Sequence, residues 1–197
     1  MRFQCYCKLM IELLKKINQL KEIPRTGWLL AGVSLAEVED VSQHSFEVAS
    51  IVMLLGKKIG RKVNVEKAVK MALIHDMPEC LVGDFPYPGL KYLSRRNKKE
   101  METRAAEELF GEEKELLELW KEFVEERSIE AELVHAADYL SILLQALRYA
   151  ECGNLSDGML ELWNQVLLDL DPYAKKFPEI GDLIENLKSN FNRLCNR

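Results

Sequence analysis

The chain has 197 residues, 48% of them hydrophobic and 30% charged, with a formal net charge of −5. These proportions suit one soluble globular domain with a sizeable core and exclude a disordered chain. The acidic balance gives no general attraction to a nucleic acid polymer or an anionic membrane, so a phosphate-bearing ligand needs a metal or a few local cations.

No apolar run approaches the roughly 20 residues that span a bilayer, so no membrane association is expected. At the start, Lys8, Glu12, Lys15 and Lys16 interrupt the apolar residues at helical spacing. That pattern is an amphipathic first helix, ending near Leu20, rather than a signal peptide. Cys5, Cys7, Cys80, Cys152 and Cys195 are odd in number and scattered, which favours free thiols and a cytoplasmic location.

Helical periodicity continues along the chain. Pro24 and Gly27 mark a loop through Trp28. A second helix begins near Val41, carries Val48, Ile51, Val52 and Leu55 inward, and stops at Gly60. Asn64 is placed to cap a third, with Val65, Ala68, Val69, Ala72 and Leu73 on one face. It reaches His75-Asp76 and breaks near Pro78, which lacks the helical donor. Residues 82–89 are the least helical stretch, followed by a charged helix over about 94–109.

Residues 112–126 read as a helix with Leu116, Leu119, Trp120 and Phe123 inward. Ser128 caps a long apolar helix that includes Ile129, Leu133, Ala136, Leu140, Leu143, Leu144 and Leu147 and ends at Gly153-Asn154. The tail adds helices around 159–170 and 180–194. No convincing strand, repeat or linker interrupts this all-α, single-domain pattern over 1–197.

The chemistry concentrates around three histidines, His44, His75 and His135. His75 and Asp76 are adjacent, and imidazole nitrogen and carboxylate oxygen both suit a first-row divalent metal. Glu79 lies within helical reach of both, placed to take a proton from a water beside such a metal. Asp138 sits among Ala136, Ala137 and Leu140, where a carboxylate is expensive to bury without a partner or a metal. A lone histidine on an apolar helix is ordinarily a core residue, and a single His-Asp pair is common. The combination carries the weight.

The order His44, His75-Asp76, Asp138 on three helices resembles the HD superfamily of phosphohydrolases. The likeness extends to Pro24-Arg25-Thr26-Gly27-Trp28, Glu39-Asp40-Val41-Ser42-Gln43-His44-Ser45, Ala72-Leu73-Ile74-His75-Asp76-Met77-Pro78-Glu79 and Gly83-Asp84. Further matches are Lys98 or Lys99 with Glu102 and Ala105, Leu119 to Phe123, and Ser128 with Glu130-Ala131. Together, over about residues 20–150, they resemble the HD-domain 5′-deoxynucleotidases, the YfbR-type enzymes of bacteria and their archaeal and eukaryotic relatives. The C-terminal helices, about 155–195, lie outside the motifs. Here Thr26-Gly27 separates an Arg and a Trp that are adjacent in the bacterial enzymes, and Gln43 stands where an acid is usual.

The resemblance implies that His44, His75, Asp76 and Asp138 hold one divalent transition metal ion, Co²⁺ or Mn²⁺. Glu79 would orient or deprotonate the attacking water, and Asp84 would line the pocket near the sugar or a water. Arg25 would meet the phosphate or nucleotide, and Trp28 would pack near the sugar. The implied substrate is a nucleoside 5′-monophosphate, with deoxyribonucleotides favoured, and the implied assembly is a homodimer. His135 would be a partly exposed neighbour of the site. Of the basic run Lys91, Arg95, Arg96, Lys98 and Lys99, one or two would reach a phosphate and the rest would face solvent. The alternatives are an HD phosphohydrolase of cyclic nucleotides or nucleoside triphosphates, a non-catalytic nucleotide-binding module stabilised by metal, and a helical interaction protein without metal.

Overall fold

The computed structural model describes residues 2–59, 63–86 and 95–195, with side chains from residue 7 and, in the last stretch, from residue 96. The expected stop at Gly60, loop residues 87–89 and Lys91 lie outside the described residues, as do the side chains of Cys5 and Arg95. Among the described residues the fold is all α, and a single isolated bridge pairs Pro24 with Asp40. Among the described residues no helix is long and apolar enough to cross a membrane.

The helices are α1 (Arg2–Asn18, continued by a 3₁₀ turn Gln19–Glu22), α2 (Thr26–Leu30), α3 (Val41–Ile59), α4 (Val65–Ile74) and α5 (Glu79–Val82). Then come α6 (Arg95–Phe110), α7 (Lys114–Val124), α8 (Ile129–Glu151), α9 (Asp157–Lys176) and α10 (Pro178–Cys195). Two expected caps form. Asn64 Oδ1 accepts from the Lys67 amide at 3.1 Å, and Ser128 Oγ accepts from the Ala131 amide at 3.2 Å. Such caps satisfy otherwise orphaned amides, each worth about 1 kcal/mol.

One boundary differs from the sequence reading. The loop expected through Trp28 contains a short helix, α2, because the Asp84 carboxylate accepts from both the amide and the hydroxyl of Thr26 at 2.5 Å. That long-range cap is invisible in local sequence. The break expected near Pro78 is present, with α4 ending at Ile74. Residues 75–78 form a turn, and Glu79 opens α5 after Pro78.

Helix α8 is the axis of the domain and packs against α3, α4, α7, α9 and α10. Its Leu133, Leu140 and Leu143 are fully buried, each contributing about 1.5–3 kcal/mol by leaving water. Leu144 of the same helix is 37% exposed. It follows Leu143 directly and falls on the outer face of the turn. The Asn64 amide donates to Glu130 Oε1 at 2.7 Å, pinning the start of α4 to α8.

Gly56 lets α3 and α4 approach closely, since a Cβ there would meet Val65 at 2.8 Å. On the far side, Trp163 and Phe191 stack 3.8 Å apart and join α9 to α10. The C-terminal helices, which match no motif, thus complete the main core around α8. A smaller cluster, centred on Phe110 and Trp120, supports α5 and α6.

Candidate active site

Three helix segments and one tethered loop converge beside α8. His44 enters one turn into α3, whose start is fixed by the Asp40 carboxylate accepting from the Gln43 amide at 2.8 Å. His75 and Asp76 follow the end of α4. Asp138 projects from the middle of α8. The loop before α2 is laced to the entry of α3 by Arg25 N–H to Glu39 O at 2.9 Å and Val41 N–H to Ile23 O at 3.0 Å. That lacing brings Arg25 to the carboxylates.

The expected ligand residues come together. His44 Nε2 lies 3.0 Å from Asp138 Oδ1 and 3.6 Å from Asp76 Oδ2, and His75 Nε2 lies 3.2 Å from Asp76 Oδ2. His44, His75 and Asp76 form a group tight enough to share one ion, with Asp138 flanking it through His44. Both imidazoles are oriented from behind. His75 Nδ1 meets the Ala72 carbonyl at 2.7 Å, and a carbonyl only accepts, so Nδ1 carries a proton and, in the neutral ring, Nε2 presents its lone pair. His44 Nδ1 lies 2.8 Å from Ser141 Oγ, which holds that ring in the same way when Nδ1 donates.

The inward atoms do not satisfy one another. His44 Nε2, His75 Nε2, Asp138 Oδ1 and Glu79 Oε2 are buried without a hydrogen-bond partner. Lone pairs on nitrogen and carboxylate oxygen 3.0–3.6 Å apart call for a proton or a cation between them. The donor set therefore fits a divalent metal, and the chemistry of the cluster, two imidazoles and two carboxylates, suits a first-row transition ion.

Electrostatics follow from the crowding of acids. Burial opposes the charge on Asp76, yet His75, Arg25 and His44 hold its carboxyl well below the usual range. Asp138 is likewise opposed by burial but is held at about 2 by His44, His75 and Arg25. Glu79 is the contrast: burial, then the neighbouring Asp76 charge, push its carboxyl well above the usual range. Asp84 is engaged by Thr26 and lies 3.7 Å from Arg25 Nη1.

These residues line a cavity of about 360 Å³, at the lower end of the roughly 300–1,000 Å³ typical of ligand clefts. Its polar lining holds Arg25, Asp76, Glu79, Asp84, Lys98, Glu102 and Asp138, and its apolar lining includes Phe123, Tyr139, Ile142 and Leu162. His135, Asp138, Tyr139 and Ile142 are spaced as one stripe of α8, so a single helix face supplies both kinds of wall. His135 stacks on Phe123 with centroids 4.2 Å apart and donates from Nε2 to the Phe123 carbonyl at 3.1 Å. It borders the cavity, and its proton-bearing Nε2 faces away from metal duty.

Trp28 is 2% exposed. It borders the cavity from within the core, donates from Nε1 to Glu39 Oε2 at 2.9 Å and meets Tyr149 edge-on. Sequence reasoning placed Glu39 in a motif but gave it no role; it is a 95%-buried carboxyl that burial raises to about 7 against the pull of Arg25 and Trp28. Sequence reasoning missed Ser141, a fully buried polar residue three positions after Asp138. Of the basic run, Arg96 and Lys99 are exposed, whereas Lys98 turns into the cavity.

An all-α bundle that gathers two histidines and two aspartates from three helix segments beside a ligand-sized cavity has the build of a metal-dependent phosphohydrolase. A family model described as HD domain matches residues 17–179. The chain is 33% identical over 188 residues to the 5′-deoxynucleotidase HDDC2 of Bos taurus, covering 93% of this chain and 86% of that one. It is also similar to the structure of a conserved hypothetical protein from Pyrococcus furiosus, at 35% identity, 91% and 99% coverage and a TM-score of 0.78. A cyanophage S-2L HD phosphohydrolase, solved with dA and one catalytic Zn²⁺ ion, shares the fold at 17% identity, 91% and 96% coverage and a TM-score of 0.64. The chain belongs to the HD-domain family, in the branch of the 5′-deoxynucleotidases.

Proposed function

We propose that this protein hydrolyses nucleoside 5′-monophosphates, deoxyribonucleotides preferentially, to nucleoside and inorganic phosphate. The observation that carries the reading is the set of partnerless, buried His44 Nε2, His75 Nε2 and Asp138 Oδ1 atoms beside a cavity lined by both charged and apolar side chains. His44, His75, Asp76 and Asp138 would hold one divalent ion, with Co²⁺ or Mn²⁺ as the proposed metals. When bound, such an ion acidifies water and neutralises charge on a phosphoryl oxygen.

The chain's own groups do the rest. Glu79 Oε2 has no partner in the protein, and burial makes its carboxylate a stronger base than usual. It accepts a proton from the water that attacks phosphorus and returns it to the 5′-oxygen of the departing nucleoside. Asp84 fixes Thr26 and lies beside Arg25. Arg25 adds positive charge at the phosphate end, and Trp28 backs the wall beside the sugar. The nucleoside lies against Tyr139, Ile142 and Leu162.

The same reading includes a cytoplasmic homodimer. Cys7, Cys80, Cys152 and Cys195 are free thiols. Exposed Phe46, Met53 and Leu54 on α3, and Leu9, Ile11 and Leu14 on α1, leave apolar surface for a second copy to cover.

The test is a panel of ribo- and deoxyribonucleoside monophosphates, triphosphates and cyclic nucleotides, each with several divalent cations and read by product. Free phosphate from deoxyribonucleoside monophosphates supports the reading. Release of triphosphate or pyrophosphate, or opening of a cyclic ester with monophosphates untouched, replaces it with a rival.

A further inference from the structure

The cavity carries a charge imbalance. Among the described residues, Asp76, Glu79, Asp84, Glu102 and Asp138 line it against the cations Arg25 and Lys98. One divalent ion offsets much of that acidity, and a phosphate monoester brings further negative charge. Cations must therefore sit where the phosphoryl oxygens go.

Arg25 is largely committed elsewhere. Its Nη1 lies 3.1 Å from Asp76 Oδ2 and 3.7 Å from Asp84 Oδ1, and its Nη2 lies 4.0 Å from Asp138 Oδ1. A guanidinium has a fixed fork, and this one is directed at three carboxylates. Lys98 is differently placed. Its ion pair is with Glu102, 3.3 Å away and one turn along α6. An ammonium has three rotatable donors, so that pair leaves two for a ligand.

Lys98 lies on the inward stripe of α6 with Glu102 and buried Ala105 and Ala106, while Arg96 and Lys99 face solvent. Burial disfavours its charge, but Glu102, Asp76 and Glu79 together keep the ammonium protonated.

We propose that Lys98, held in place by Glu102, is the principal side chain that binds the substrate's phosphoryl group, while Arg25 chiefly holds the Asp76, Asp84 and Asp138 carboxylates together. The inference rests on the phosphomonoester reading above. It separates one lysine from a run of basic residues that sequence alone leaves equivalent.

The experiment compares the parent with Lys98→Met, Lys98→Gln and Lys98→Arg, each loaded with divalent cation. Calorimetry measures binding of inorganic phosphate and of free deoxynucleoside, and elemental analysis and melting temperature report metal and fold. A hydrogen bond from a charged donor corresponds to roughly a tenfold or larger effect on affinity. Lys98→Met and Lys98→Gln are expected to bind inorganic phosphate at least about tenfold more weakly, with metal content and nucleoside affinity unchanged. Lys98→Arg recovers most of the loss.

Phosphate affinity within about twofold of the parent in any folded neutral variant overturns the proposal. Equal losses for phosphate and nucleoside, or a parent that binds no inorganic phosphate, overturn it as well. A parent that binds phosphate through Lys98 but hydrolyses no monophosphate would retire the proposed function and leave the assignment of Lys98 standing.

Discussion

Removing one oxygen behind His44 gives a quantitative test of the metal centre. Ser141 is fully buried on α8, and its Oγ lies 2.8 Å from His44 Nδ1. Ser141→Ala leaves all four proposed ligands in place but releases the ring they depend on. Outer hydrogen bonds of this kind are typically worth about 10–100-fold in metal affinity, or about 1.4–2.7 kcal/mol. With cation well above its dissociation constant, the same factor is subtracted from the stabilisation that binding gives the native state.

A chain of this size shifts by about 2–4 °C per kcal/mol. The metal-stripped variant should therefore melt about 2–4 °C below the stripped parent, from loss of a hydrogen bond worth about 1 kcal/mol. The loaded variant should fall by a further 3–11 °C or about that. Competition with a chromogenic chelator measures the affinity, and differential scanning fluorimetry with and without cation measures the two shifts. Unchanged cation affinity, or equal shifts in both states, would refute the claim that Ser141 orients a metal-bearing imidazole.

Two further outcomes follow from the carboxylates. Glu79→Gln keeps the side chain's size and should keep metal and nucleotide binding while lowering kcat by about 10²–10⁴-fold; single-turnover phosphate release checks this, and loss of metal would make Glu79 a ligand instead. Glu39 is raised by burial to about 7 from an ordinary 4.5. Because the folded value is the higher one, its contribution to stability is full below about pH 4.5 and is lost as pH rises toward 7. Glu39→Gln removes that loss and retains an acceptor for Trp28. It should gain up to about 3 kcal/mol over the parent at pH 8.5 and nothing at pH 4.5. Parallel denaturation curves for the two proteins across that range would show that Glu39 is not the carboxyl responsible.

The helices and the chemistry were legible to different depths. Periodicity located α3, α4, α8 and the C-terminal pair, and Asn64 and Ser128 mark their starts through local side-chain chemistry. His44, His75, Asp76 and Asp138 were legible as a candidate set through their resemblance to the HD order along the chain. Ser141 was not, since a serine on a buried helix face has no signature until the histidine opposite is known. Asp84 reads locally as a loop acid, and its capping of Thr26 emerges only when residues far apart in sequence meet. Trp28 keeps company with the expected site, but Glu39 and Tyr149 hold it in the core, a pairing no local pattern encodes. Lys98 and Lys99 are adjacent charges in one helix, and only the packing of α6 tells them apart.

The central claim is that the histidine and aspartate cluster holds one divalent ion and that this ion enables phosphomonoester hydrolysis. Its most direct test is a titration of chelator-stripped protein with Mn²⁺ or Co²⁺, following bound metal and phosphate release from a deoxyribonucleoside 5′-monophosphate in the same samples. The account expects no hydrolysis in stripped protein and activity that rises in step with binding, levelling at about one ion per chain. Full hydrolysis by the stripped protein, or saturable binding that His75→Ala and Asp138→Ala leave intact, would contradict it.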